Sequence, residues 1–301
     1  MEFCTSTVLY GEQSLDRACA EIASAGIRAV DVWHVRGWCE HLAGGAAAVA
    51  ATLRRHGLRL EAVTAFRAPL EELDSLLPVL AELGGHALVT GSMPPDVPVA
   101  EFARRIGPLA AHATALGVRL AIENHGRATI DSIASMVELG QLLPEPGLGI
   151  ALAPIHLWNR GEETADAVRT LRAAIALMYL WDWGPSAQRQ WKDPSEQFLG
   201  TGRIDFAPIA AALRQIGYSR PLCLFAHGPE HWPPERTTRE LGAALGRARC
   251  CCSRCAAQGS PATARARNRR RPPEKSGATP WPHGRGPGGV VARTVAPLED
   301  T

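Results

Sequence analysis

Between Met1 and Gly246 the chain switches hydrophobic period again and again, and that alternation limits its possible folds more than any single residue does. Eight short runs of β-branched and aliphatic residues read as buried strands: MEFCTSTVL (1–9), IRAVDVW (27–33), LRLEAVTAF (58–66), HALVTG (86–91), VRLAIE (118–123), LGIALA (148–153), IALMYLWDW (175–183) and RPLCLFA (220–226). A longer segment with apolar residues at helical spacing follows each strand, from SLDRACAEIASAG after the first to ERTTRELGAALG after the last. Gly26, Gly57, Gly84, Gly117 and Gly217 stand just past the last apolar position of such segments, where a left-handed residue ends a helix. Consecutive parallel strands joined by right-handed crossovers close most simply into a ring, and eight βα units in about 250 residues is the size of a (β/α)8 TIM barrel. An open doubly wound sheet is the alternative, but no GxGxxG or GxxxxGK[ST] follows the first strand.

Composition narrows the class of function. The 301 residues are 46% hydrophobic and 21% charged, as expected of a globular chain, and no apolar run approaches the roughly 20 residues that span a bilayer. The start, MEFCTSTVLYG, lacks the basic and apolar regions of a secretory leader, so the chain reads as cytoplasmic, with no membrane partner. Cys4, Cys19, Cys39 and Cys223 lie in apolar segments, as small buried hydrophobes do. Cys250, Cys251, Cys252 and Cys255 crowd into CCCSRC, but a zinc site needs a second ligand pair, and the only histidine beyond them is His283. From Arg247 onward 11 basic residues face 3 acids, a net +8, whereas the preceding body has 21 against 27, a net −6. An acidic body is poorly suited to a phosphate backbone, so nucleic acid is not the expected partner. The expectation is a barrel domain over 1–246 and a disordered basic Arg/Pro/Gly-rich tail over 247–301, too poor in apolar residues to fold.

In a barrel of this kind, chemistry sits at the C-terminal ends of the strands. The residues placed there are Asp31 and Trp33, Thr64 and Phe66, Thr90, Glu123 with Asn124 and His125, Ala153 and His156, Tyr179 to Trp183, and Phe225 with His227. Seven of the eight tryptophans (Trp33, Trp38, Trp158, Trp181, Trp183, Trp191 and Trp232) fall at these ends or in the loops beyond them. Indoles gathered at one face form either an aromatic wall for a flat or sugar-like ligand or a hydrophobic plug under long loops.

The order GIRAVDVW, VRLAIENHG, LGIALAPIHL, IALMYLWD, with LGTGRIDFAPIAAALRQIGYSRPL after it, resembles the xylose isomerase-like TIM barrels. That superfamily contains sugar and sugar-phosphate isomerases and epimerases together with endonuclease-IV-type nucleases. The most specific part is GTGRIDF, which is similar to the family's Gly-x-Gly-x-Ile-Asp-Phe loop. The resemblance implies a divalent metal (Mn, Mg or Co) held by a Glu ending the fifth strand, an Asp ending the sixth, a His from the seventh and a Glu ending the eighth. Those positions carry Glu123, Ala153, Tyr179 and Phe225 here, so one ligand of four is kept and no family-type metal is expected unless Asp182, His227 or Glu230 rebuilds the site.

The reading that follows is a sugar isomerase or epimerase-like barrel acting on or binding a small polyhydroxylated ligand. Glu123 and His156 are the catalytic candidates, and Trp33, His125, Trp181, Lys192 and His227 the substrate-binding ones. A buried carboxyl among indoles has its pKa raised toward neutrality, which suits a metal-free acid or base. Two alternatives stay open: a metal-free lyase or dehydratase-type proton transfer, and a non-catalytic descendant that keeps the pocket for binding. The sequence does not set the oligomeric state.

Overall fold

The computed structural model describes residues 1–144, 146–184 and 193–257, the last six of them (252–257) by backbone alone. In chain order the elements are β1 (Phe3–Ser6), α1 (Leu15–Ser24), β2 (Ala29–Val35), β3 (Cys39–Glu40), α2 (Gly45–Arg55), β4 (Arg59–Thr64), α3 (Leu70–Glu82), β5 (Ala87–Thr90), α4 (Val99–Leu116), β6 (Arg119–Glu123), α5 (Ile133–Leu142), β7 (Leu148–Leu152), α6 (Pro154–Arg160), α7 (Thr164–Leu171), β8 (Ile175–Leu180), α8 (Phe206–Gln215), β9 (Leu222–Leu224) and α9 (Pro234–Ala257). The parallel strands run in the order β1-β9-β8-β7-β6-β5-β4-β2, and β1 also pairs with β2, which closes the ring. All eight sequence-predicted strands are in it, and the short β3 pairs antiparallel to β2 outside the ring.

Local chemistry explains the punctuation. Gly26, Gly57, Gly84, Gly117 and Gly217 all adopt positive φ, where a Cβ is strained, and each turns the chain from a helix into the next strand. The first strand is shorter than its apolar run suggests: Ser6 accepts a hydrogen bond from the Val8 N–H and caps a 3-10 turn over Thr7–Tyr10. At the other end α9 continues past Gly246, because Leu241, Ala244, Leu245 and Ala248 form one buried stripe at helical spacing. The predicted disordered tail, from 258 onward, lies outside the described residues. No described helix is long and apolar enough to cross a membrane.

The N-terminal face of the barrel holds its own charge cluster. Glu61 is fully buried and accepts hydrogen bonds from Arg59 Nη1 (2.8 Å) and from Arg220 Nε and Nη2 (2.9 and 2.6 Å). This clamp between β4 and the entry to β9 lies at the stability end of the fold, away from the tips where function is expected. Sequence reading did not single it out.

Candidate active site

Glu123 is the last residue of β6, and the next residue explains why this tip is so well fixed. Asn124 is fully buried, its Oδ1 accepts from the Ala153 N–H (2.7 Å), and its Nδ2 donates to the Ala153 carbonyl (3.1 Å). The reciprocal pair ties the end of β6 to the end of β7 and starts α6, with Pro154 in its first turn and a left-handed Gly161 ending it. That seven-residue helix, absent from the sequence reading, carries His156 back over Glu123.

His156 Nε2 stands 3.6 Å from Glu123 Oε1, and both side chains are 8% exposed. This approach is not an ion pair. Burial holds His156 neutral, with its pKa pushed down to about 3, and 3.6 Å is too long for a hydrogen bond. Burial also pushes the Glu123 carboxyl up to about 7, with a small opposing effect from His125. His125 is half-buried, and its ring lies 4.2 Å from that of His156, centroid to centroid. Its Nδ1 donates to the Gly126 carbonyl at 2.8 Å, which leaves the lone pair on Nε2. Burial and then the neighbouring His156 lower the His125 pKa.

The other candidates join this group through Trp181. The His156 and Trp181 rings meet edge to face at 5.5 Å, Trp181 meets His227 at 5.0 Å, and His227 meets Trp33 at 5.8 Å. Trp38 stacks on His227 at 5.3 Å, and Phe225 lies 4.8 Å from the same imidazole. The indoles of Trp33 and Trp181 therefore pack on one another's neighbours around His227, as a plug does, and only Trp38 of this group is substantially exposed. Trp232 stacks instead on Phe198, under the guanidinium of Arg236. Lys192 and Trp191 lie outside the described residues. A cleft of about 340 Å³ beside α1 and α2, lined by Ser14, Glu40, His41 and Thr52, contains none of the predicted residues.

Three polar groups hold the site, and two of them, Gln197 and Asp182, were not assigned that role in the sequence. Gln197 accepts from the Trp181 indole (3.0 Å) and from the His227 N–H (2.9 Å), and donates to the His227 carbonyl (3.0 Å). Asp182 does not reach for an ion: its Oδ1 accepts from the N–H groups of Trp183 and Ile204 and its Oδ2 from those of Gly200 and Gly202, at 2.8 to 3.0 Å. A Cβ on Gly202 would stand 2.3 Å from Asp182 Oδ1, so the GTGR loop needs glycine there to wrap the carboxylate. Asp31, buried on β2, accepts from Trp33 Nε1 (3.0 Å) and Thr64 Oγ1 (2.8 Å) and so fixes the indole.

Burial pushes Asp31 up to about 7 from 3.8, against hydrogen bonds from Thr64, Trp33 and Ser6, with Glu123 adding to the rise. The folded chain therefore keeps a proton that the unfolded chain loses, and stability from this group falls as pH rises from about 4 through 7. Asp31→Asn removes the titration. Urea unfolding should show the variant gaining on wild type by on the order of 4 kcal/mol between pH 4 and pH 8. A difference that stays constant over this range would mean Asp31 is ionised throughout.

A profile described as the xylose isomerase-like TIM barrel matches residues 19–247. The chain belongs to the xylose isomerase-like TIM barrel family. No curated protein matches it significantly. Among solved structures, a xylose isomerase domain protein from Alicyclobacillus acidocaldarius subsp. acidocaldarius superposes with a TM-score of 0.69 at 23% identity, over 84% of this chain and 99% of that one. An L-ribulose 3-epimerase superposes with a TM-score of 0.69 at 17% identity, over 87% and 100%. The probable 3-DHS dehydratase AsbF of Bacillus anthracis does so with a TM-score of 0.67 at 16% identity, over 82% and 100%. At such low identity these likenesses speak for the fold alone.

The ion implied by membership of the xylose isomerase-like family does not fit its usual four positions here. Ala153 offers only a methyl group, and both of its backbone polar groups are taken by Asn124. Tyr179 and Phe225 are buried, with ring centroids 5.0 Å apart. The residues considered as replacements have other partners. Asp182 is saturated by backbone donors, Glu230 Oε2 accepts from the Gly228 N–H, and the His227 ring is enclosed by aromatics.

Proposed function

We propose that this family member binds a small polyhydroxylated, sugar-like ligand at the barrel mouth and moves a proton on it, with Glu123 as the acid or base. The observation that supports this most is the convergence of Glu123, at the end of β6, with His125 of the following loop and His156 of α6. Epimerisation next to a carbonyl and dehydration β to a carbonyl share a first step. A base takes the proton from the carbon beside the carbonyl, and the C–H electron pair moves onto the carbonyl oxygen as an enolate. Reprotonation on the other face gives an epimer, and loss of the β-hydroxyl gives the dehydrated product. A carboxyl with a pKa of about 7 is matched to that work near neutral pH, because it is present in both protonation states. In this reading His156, neutral and facing the carboxyl, hydrogen-bonds a ligand oxygen, and Trp33 and Trp181, packed around His227, close the apolar side of the tip.

The shared step has a class-level test. The full chain is incubated in D2O with a panel of ketopentoses and ketohexoses and their phosphates, and deuterium entering the carbon beside the carbonyl is followed by proton NMR. Enzyme-dependent wash-in on at least one member is the expected result. Ligand-induced thermal stabilisation without any wash-in would instead favour the non-catalytic binding protein.

A further inference from the structure

Glu123, His125 and His156 share a feature that proton transfer on a sugar does not require. One carboxylate oxygen and one ring nitrogen from each histidine lie within 4.8 Å of one another. All three are residue types that ligate metal ions. His125 donates its Nδ1–H to the Gly126 carbonyl, and His156 Nε2, buried with no hydrogen-bond partner among the described residues, stands 3.6 Å from Glu123 Oε1. A lone proton on Glu123 does not satisfy that nitrogen, since the 3.6 Å gap is beyond hydrogen-bond reach. An unpaired buried polar atom costs about 1–3 kcal/mol, and a cation bound at His156 Nε2 removes that deficit.

We propose that Glu123, His125 and His156 form a divalent-cation site, distinct in two of its three ligands from the set implied by the fold family. It deepens the reading above, since it occupies the same tip of β6. Two imidazoles and one carboxylate favour a first-row transition ion such as Zn²⁺ or Co²⁺ over Mg²⁺ or Ca²⁺, which take oxygen ligands. Bond lengths of about 2.0–2.2 Å at tetrahedral angles put ligand atoms about 3.4 Å apart, close to the 3.6 Å already present between His156 and Glu123. The His125 Nδ1–H to Gly126 hydrogen bond is the outer contact that a metal-binding imidazole uses to fix its tautomer. Half-buried His125 gives the ion its way in.

The test uses the full chain, stripped with EDTA and titrated with Co²⁺ while the visible d–d bands of bound cobalt are recorded. Bound zinc is counted separately by elemental analysis after Zn²⁺ loading. One ion per chain is expected. His125→Ala and His156→Ala should each weaken binding at least about tenfold with unchanged circular dichroism. A Cys252→Ala/Cys255→Ala variant controls for the CCCSRC cluster and should bind as wild type does. Absence of bound cobalt and zinc, binding unaffected by both histidine variants, or binding lost with the cysteines would each overturn the proposal. The outcome is separable from that of the D2O experiment: bound cobalt with no wash-in leaves the ion site standing and removes the enolisation, and the converse removes only the ion.

Discussion

Asp182→Ala should be the most destabilising single substitution proposed for this barrel, lowering the unfolding free energy by on the order of 4 kcal/mol. The carboxylate accepts from four backbone N–H groups, and truncation leaves all of them without a partner in a loop that cannot reach another acceptor unaided. Each orphaned donor costs about 1–3 kcal/mol, and relaxation of the glycine-rich loop recovers part of the sum. For a domain of this size that is a fall in Tm of roughly 10 °C. Asp182→Asn keeps one accepting oxygen and sets an amide N–H₂ against two donors, so it should fall between wild type and alanine. Burial holds the Asp182 pKa above the ordinary carboxylate value in spite of the four donors, so this group's contribution to stability falls as pH rises from the unfolded value through the folded one, as it does for Asp31. An alanine variant within about 1 kcal/mol of wild type in urea unfolding would show that the loop is held by other contacts.

The second large effect is on chemistry. Glu123→Gln should cut deuterium wash-in by about 10²–10⁴-fold, the usual contribution of a positioned acid or base. Folding should not suffer, because the amide is isosteric and no ionised carboxylate is left buried above pH 7. The two readouts therefore move apart, and that separation distinguishes a working acid from a structural one. A structural carboxylate would lose stability on the same substitution and leave the rate unchanged. His156→Ala should cost less in rate than Glu123→Gln, since on this account it touches the ligand without exchanging the proton.

The architecture was legible because period and punctuation are carried by many residues at once: eight aliphatic runs and five helix-ending glycines agree, so no single position decides the fold. Glu123, His125 and His156 were legible for a related reason, since strand tips are where a barrel gathers distant side chains. What escaped were contacts between residues far apart in sequence. Nothing in WDWG and GTGRID read separately says that Asp182 anchors the loop, and only the fold brings the carboxylate to Gly200, Gly202 and Ile204. Gln197 is similar, a polar residue in an unremarkable stretch that fixes both Trp181 and His227. The tryptophans illustrate the opposite limit. Their clustering was visible in the sequence, but only packing distances showed Trp33 and Trp181 closing around His227 rather than lining an open wall. The helix α9 runs past the boundary that the Arg/Pro/Gly-rich composition after Gly246 suggested, because Ala248 extends the buried stripe begun at Leu241.

The central claim is that the tip of β6 is where a ligand is handled, and a crystal structure of the full chain grown with a ketose that shows wash-in or thermal stabilisation tests it most directly. The expected result is a sugar with an oxygen within about 2.6–3.2 Å of Glu123 or His156. A sugar bound only in the cleft between Ser14 and His41, with Glu123 still sealed beneath the aromatic cluster, would contradict it.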